Sequence, residues 1–160
     1  MPDFVKKIKK ARSEDLQDGE TLHAATIGQP SGTFSRQAMG GLIGVLAARK
    51  VAEKREEAVG DTGETGLAST IPANQQIVIG LSDRRLLFFH HGAMSGNPKE
   101  LAAAFELRDV HEITLEKHKM TSSLVIRFVD NSARMFECVK MAKPHDLVDA
   151  FHKLKGSQAA

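Results

Sequence analysis

Gln76-Ile77-Val78-Ile79-Gly80-Leu81-Ser82-Asp83-Arg84-Arg85-Leu86-Leu87-Phe88-Phe89-His90-His91 is the most apolar and most β-favouring stretch of the chain. Two runs, Ile77 to Leu81 and Arg85 to Phe89, flank Ser82-Asp83-Arg84. Branched and aromatic side chains suit the pleated, half-buried surface of a sheet, while Ser and Asp bond nearby backbone groups in turns. The stretch predicts a hairpin at the middle of a sheet.

Downstream, His91 to Pro98 reads as a loop, and Glu100 to Leu107 as a strand despite its helix-favouring alanines. Glu112 to Glu116 follows, with Ile113 and Leu115 on one face, then a turn near His118-Lys119. In Ser123 to Val129, Leu124, Ile126 and Phe128 alternate with Val125 and Arg127; Asp130-Asn131-Ser132 turns into a last strand, Ala133 to Val139. Alternation of this kind marks an antiparallel sheet with one face buried. Pro144 and Asp146 suit the first turn of a helix running to Leu154, whose Leu147, Val148, Phe151 and Leu154 should close one end of the sheet.

Upstream, Gln17-Asp18-Gly19-Glu20 is a turn, Thr21 to Ile27 a first strand, and Gly28-Gln29-Pro30-Ser31-Gly32 a break. From Phe34 to Val59 the pattern becomes helical, with Ser35 as N-cap and Met39, Leu42, Ile43, Leu46 and Ala47 as an apolar face. Gly40, Gly44 and Ala48 recur on one side of it. Glycine inside a helix costs about 1 kcal/mol relative to alanine, so such spacing wants a packing reason. Two alternatives stand: packing within the molecule, or self-association through Met39, Gly40, Ile43, Gly44 and Ala47. The stretch Gly60 to Gly66 carries three glycines and reads as a flexible loop.

At the N-terminus, Phe4, Val5, Ile8 and Ala11 form one helical stripe, with Lys6, Lys7, Lys9, Lys10 and Arg12 around it. Again there are two readings. The stripe lies on the domain with its lysines in water, or the helix adsorbs to an anionic membrane, where each cation contributes about 1 kcal/mol.

One domain fits 160 residues. A net charge of +2 and the absence of Trp and Tyr give no support to nucleic acid as a partner, which calls for a basic surface with stacking aromatics. The single Cys138 lies in an apolar run and reads as a small buried hydrophobe in a reducing cytoplasm. No secretory signal follows the N-terminal lysines, and the longest largely apolar uncharged run, Gln37 to Ala48, is about a dozen residues against the roughly 20 that a span needs.

His90 and His91 are strand neighbours that point to opposite faces; His145 and His152 are two helical turns apart; neither pair has metal-ligand spacing. Gly60-Asp61-Thr62-Gly63 lacks the Lys-Ser/Thr of a phosphate loop, and no Gly-x-Ser-x-Gly occurs. The expectation is a protein with no catalytic residues, no metal and no cofactor.

Asp18-Gly19-Glu20 before the first strand, Leu81-Ser82-Asp83-Arg84-Arg85-Leu86 at the hairpin, Leu107-Arg108-Asp109-Val110 before the next strand and the helix from Pro144 to Leu154 share an order with a known family. In these the chain resembles the bacterial pleckstrin-homology-like (PH-like) domains over residues 18–27 and 76–155. The resemblance implies an α+β fold, an antiparallel split β-barrel of about seven strands capped by a C-terminal helix. The expected organisation is an N-terminal helix over residues 1–17, a domain over 18–155 interrupted at about 33–70, and a tail over 156–160. It also implies a binding module rather than an enzyme. The first strand carries no Lys or Arg for an inositol phosphate, so a protein partner or a second copy is expected, with peripheral attachment to the inner membrane face as the alternative.

Overall fold

The computed structural model describes residues 3–30, 66–72 and 75–159. The expected helix from Phe34 to Val59, with its Met39, Gly40, Ile43, Gly44 and Ala47 face, and most of the Gly60 to Gly66 loop lie outside the described residues. The elements are helix α1 (Phe4–Ala11), strands β1 (Leu22–Pro30), β2 (Ile77–Ser82), β3 (Arg85–His91), β4 (Pro98–Glu106), β5 (Val110–Lys117), β6 (Thr121–Phe128) and β7 (Ala133–Val139), and helix α2 (Pro144–Ala159).

All seven strands belong to one antiparallel sheet in the order β4-β3-β2-β1-β7-β6-β5. The hairpin read from the sequence is there, with Ile77 opposite His90 and Leu81 opposite Leu86. The sheet is not closed: β4 and β5 are its two edges, joined by the single turn Leu107–Asp109 rather than by a ladder. α2 packs against β1, β2 and β5. From it, Leu147, Val148 and Phe151 enter a core that also contains Ile79, Phe88, Phe105, Phe128 and Phe136.

β1 runs further than expected. The stretch Gly28-Gln29-Pro30, read as a break, carries the strand from β2 onto β7, where Gln29 pairs with Glu137 and Pro30 with Phe136. Gly28 is what allows the crossing, since a Cβ there would stand 2.8 Å from Phe136 Cβ. Pro30 is the final residue, where a missing N–H costs a ladder least. β4 forms over Pro98–Glu106 although Ala102, Ala103 and Ala104 favour helix. Pairing with β3 and burial of Phe105 override local propensity. α2 continues past Leu154 to Ala159, because Gly156 weakens a helix without ending it.

The outer face of β1–β4 is apolar too. Leu22, Val78, Leu87 and Phe89 meet Phe4 and Ile8 of α1 there, with Val5, Leu16, Ile27 and Leu101 at the margin. Gly80 makes the room, as a Cβ at that position would be 3.0 Å from Ile8 Cδ1. The N-terminal stripe therefore lies on the sheet. Residues Leu67–Thr70 form a 3-10 turn that places Ala68 and the following Ile71 in the main core. Arg134 holds this turn from β7, its Nη2 donating to the carbonyls of Ala68 and Ile71 at 2.8 Å each.

Candidate functional site

The turn between β2 and β3 carries a dense set of side-chain bonds. Glu20, whose side chain has no exposed surface, faces Arg85, whose side chain is 14% exposed. Arg85 Nη2 donates to Glu20 Oε1 at 2.6 Å and Nε to Oε2 at 2.9 Å, the bidentate geometry that suits a guanidinium and a carboxylate. Ser82 Oγ donates to Glu20 Oε2 at 2.6 Å and accepts from the backbone of Arg84 and Arg85. Arg85 Nη2 also reaches the carbonyl of Asp15, and Asp83 bonds Thr21 through both its backbone N–H and its carboxylate. Burial opposes ionisation of Glu20, but the bonds from Arg85, Ser82 and the Gln17 N–H outweigh it and bring its pKa down to about 2. These residues are a clasp between the N-terminal segment and the hairpin. The Asp-Gly-Glu and Ser-Asp-Arg-Arg signatures, read separately in the sequence, are its two halves.

A second contact joins α1 to the β3–β4 loop. Lys7 Nζ donates to the carbonyl of Gly96 at 2.7 Å and sits 5.6 Å from the centre of the Phe4 ring. His91, below the loop, has a buried Nδ1 without a hydrogen-bond partner. Burial and then the charge of Lys7 lower its pKa, against a smaller opposing bond with the Gly96 backbone. Of the five expected membrane-facing cations, Lys6, Lys9 and Lys10 are exposed. Lys7 is engaged as above, and Arg12 pairs with Asp15 at 2.7 Å and Glu14 at 3.4 Å. No helix among the described residues is long and apolar enough to cross a membrane.

Two clefts meet at His23. One, of about 320 Å³, is lined by Asp3, Val5, His23, Lys143 and Asp146. The other, of about 1210 Å³, runs along α2 past Asp149, Ala150, Lys153 and Leu154. Sequence reading missed His23: the strand register slips between Leu22 and Ala24, and no periodic signal announces a bulge.

The remaining histidines are dispersed. His90 bonds Gln75, His118 bonds Ser123, His145 pairs with the adjacent Asp146, and His152 Nε2 lies 2.7 Å from Glu112 Oε1, tying α2 to β5. Among the described residues, no group of three or more His, Cys, Asp or Glu is placed to hold a metal ion. Cys138 is buried in the core, and desolvation pushes its thiol up to about 12, leaving it protonated and unreactive at neutral pH. No protein-family model matches the sequence, and no curated protein matches it.

Proposed function

We propose that the chain is a non-catalytic, cytoplasmic binding module of the PH-like kind that engages a protein partner or a second copy of itself. What supports the PH-like assignment is the strand order, in which β1 bridges two antiparallel halves, together with a C-terminal helix packed on β1 and β5. The observation that carries the non-catalytic reading is the employment of the two most strongly shifted groups among the described residues. Glu20 is saturated by Arg85 and Ser82 in a structural clasp, and the one thiol is buried and protonated. A catalytic acid or base needs a perturbed group facing a space that substrate can occupy.

The contact face proposed is Met39, Gly40, Ile43, Gly44 and Ala47, on the strength of its glycine spacing and apolar pattern in the sequence. Light scattering coupled to size-exclusion chromatography tests self-association. The expected result is a species of about 35 kDa, twice the 17.4 kDa chain, that Gly40→Leu with Gly44→Leu converts to monomer. A monomeric wild type that no partner protein shifts would sink the reading.

One observation favours a second reading. Lys6, Lys9 and Lys10 stay exposed on α1, so peripheral attachment to an anionic membrane remains open to the protein by electrostatics, although Phe4 and Ile8 are spent on the sheet.

A further inference from the structure

Membrane attachment by a basic helix needs an apolar component as well as charge, and the two largest residues of the α1 stripe, Phe4 and Ile8, are buried against Leu22, Val78, Leu87 and Phe89. An exposed apolar side chain is supplied by the loop that α1 touches through Lys7. Met94 stands at the apex of the turn between β3 and β4 with its whole side chain in solvent. The turn is built rigidly beneath it: Gly92 N–H donates to the Asn97 carbonyl at 2.9 Å and Gly96 N–H to the Gly92 carbonyl at 2.7 Å. Cations bracket its base. Lys7 Nζ bonds the Gly96 carbonyl from α1, and Lys99 Cε from β4 lies 2.6 Å from the point where a Cβ on Gly92 would be. Lys10 follows Lys7 by one helical turn, and Lys6 neighbours Lys10 at i, i+4. Glu100 is the nearby carboxylate on β4, and its field acts on Arg12.

We propose that the β3–β4 loop is where this protein meets an anionic lipid surface, with Met94 entering the interface and Lys7, Lys99, Lys10 and Lys6 facing the headgroups. The proposal rests on the membrane reading of the basic N-terminus and moves its apolar anchor from the helix stripe to the loop tip. An ammonium group has three donors, and Gly96 occupies one on Lys7, so the clasp and a headgroup contact are compatible. Methionine suits the task because its unbranched thioether adapts to irregular apolar surroundings. A lone exposed apolar residue on a surface is ordinary; what distinguishes Met94 is that cations from two separate elements converge on the loop that carries it.

The test is co-sedimentation of the full-length protein with phosphatidylcholine vesicles, with and without phosphatidylglycerol, at low and high salt. Wild type should partition onto the charged vesicles only, and lose them as salt rises. Met94→Asp, at a site too exposed to disturb folding, should lower partitioning about tenfold. Lys99→Glu should lower it by at least about fivefold, the equivalent of one cation near the surface. Lys153→Glu, on α2 and so across the sheet from α1, should change it no more than about twofold. If Met94→Asp binds like wild type while the triple variant Lys6→Glu, Lys9→Glu, Lys10→Glu does not, the helix attaches without the loop; the proposal is overturned and the membrane reading stands. If wild type ignores charged vesicles at low salt, both fall. Equal binding to a single-stranded oligonucleotide, insensitive to Met94→Asp, would identify a soluble polyanion as the partner and overturn the proposal as well.

Discussion

At the Arg85 end of β3 the N-terminal segment is held by a buried carboxylate and guanidinium that satisfy one another through two short bonds, with a serine filling a further acceptor site. At the His91 end it is held by one lysine on one carbonyl, beside an imidazole whose Nδ1 is buried and unbonded. Both ends connect α1 and its continuation to the same strand. The first pairs a buried carboxylate with a guanidinium that keeps only a small exposed edge. The second leaves exposed lysines beside a half-buried imidazole. The contrast separates charges spent on one another from charges left largely to solvent.

The largest effect that would test this contrast is at Glu20. Replacing it with alanine leaves Arg85 and Ser82 without their partner in a buried place, a loss of about 3–5 kcal/mol in urea-induced unfolding. A loss under about 1 kcal/mol would mean that water reaches the pair and that the two ends differ less than their geometry implies. The same clasp fixes a pH response. Glu20 ionises at about 2 when folded against 4.5 for an ordinary glutamate, so its contribution is complete above pH 4.5 and disappears as pH falls towards 2. Over the neutral range this end of β3 should be insensitive to pH.

Next in size is the apolar contact between the two ends. Ile8→Ala removes a fully buried side chain and should cost about 2–4 kcal/mol. Gly80→Ala presses a methyl to within 3.0 Å of Ile8 Cδ1 and should also destabilise, but the two substitutions act on one space. The double variant should therefore be more stable than the sum of the single losses predicts, by about 0.5 kcal/mol or more. Strict additivity in thermal or urea unfolding would show that α1 does not dock on Gly80 in solution.

Much of this arrangement could be read from the chain, and the omissions have physical causes. The apolar density of Ile77 to Phe89 marked its strands because both faces of β2 and β3 are buried, and Leu124, Ile126 and Phe128 marked β6 because they share the core face. The extension of β1 through Gly28-Gln29-Pro30 left no such trace. A glycine that admits Phe136 looks the same in sequence as a glycine that ends a strand. The pairing of Glu20 with Arg85 joins residues 65 positions apart, and local pattern holds no information about such a contact. The role proposed for Met94 was equally hidden: it depends on which helix lies beside the loop, and only the fold brings Lys7 to Gly96.

The weaker end should respond to acid. Burial and the Lys7 charge keep the folded His91 pKa below its ordinary 6.5, so its contribution to stability is present above pH 6.5 and is lost as pH falls through the folded value. The groups facing it are Lys7 from α1 and the Gly96 backbone of the loop, with Lys99 from β4 at the loop base. Amide protection factors, which normalise exchange to its intrinsic slowing in acid, should fall at the start of α1 and in the β3–β4 loop as pH drops below this range, while those of the β2–β3 turn hold. An equal loss of protection at both ends would mean that the strand opens as one unit and that its two contacts are not independent.

Lys7→Met gives the smallest change and the sharpest reading. It removes one hydrogen bond to a carbonyl near solvent and should cost under about 1 kcal/mol in global unfolding. Its informative effect is on His91. With the neighbouring ammonium gone, one of the two causes that lower the imidazole pKa is removed, and the His91 midpoint followed by NMR should rise towards 6.5 without reaching it, because burial persists. An unchanged midpoint would show that burial alone governs the ring, so that Lys7 and His91 do not share a field. A midpoint that reaches 6.5 would show instead that the loop has opened and hydrated the ring. In that case Lys7, through its single bond, would be what keeps the β3–β4 turn and its methionine in place.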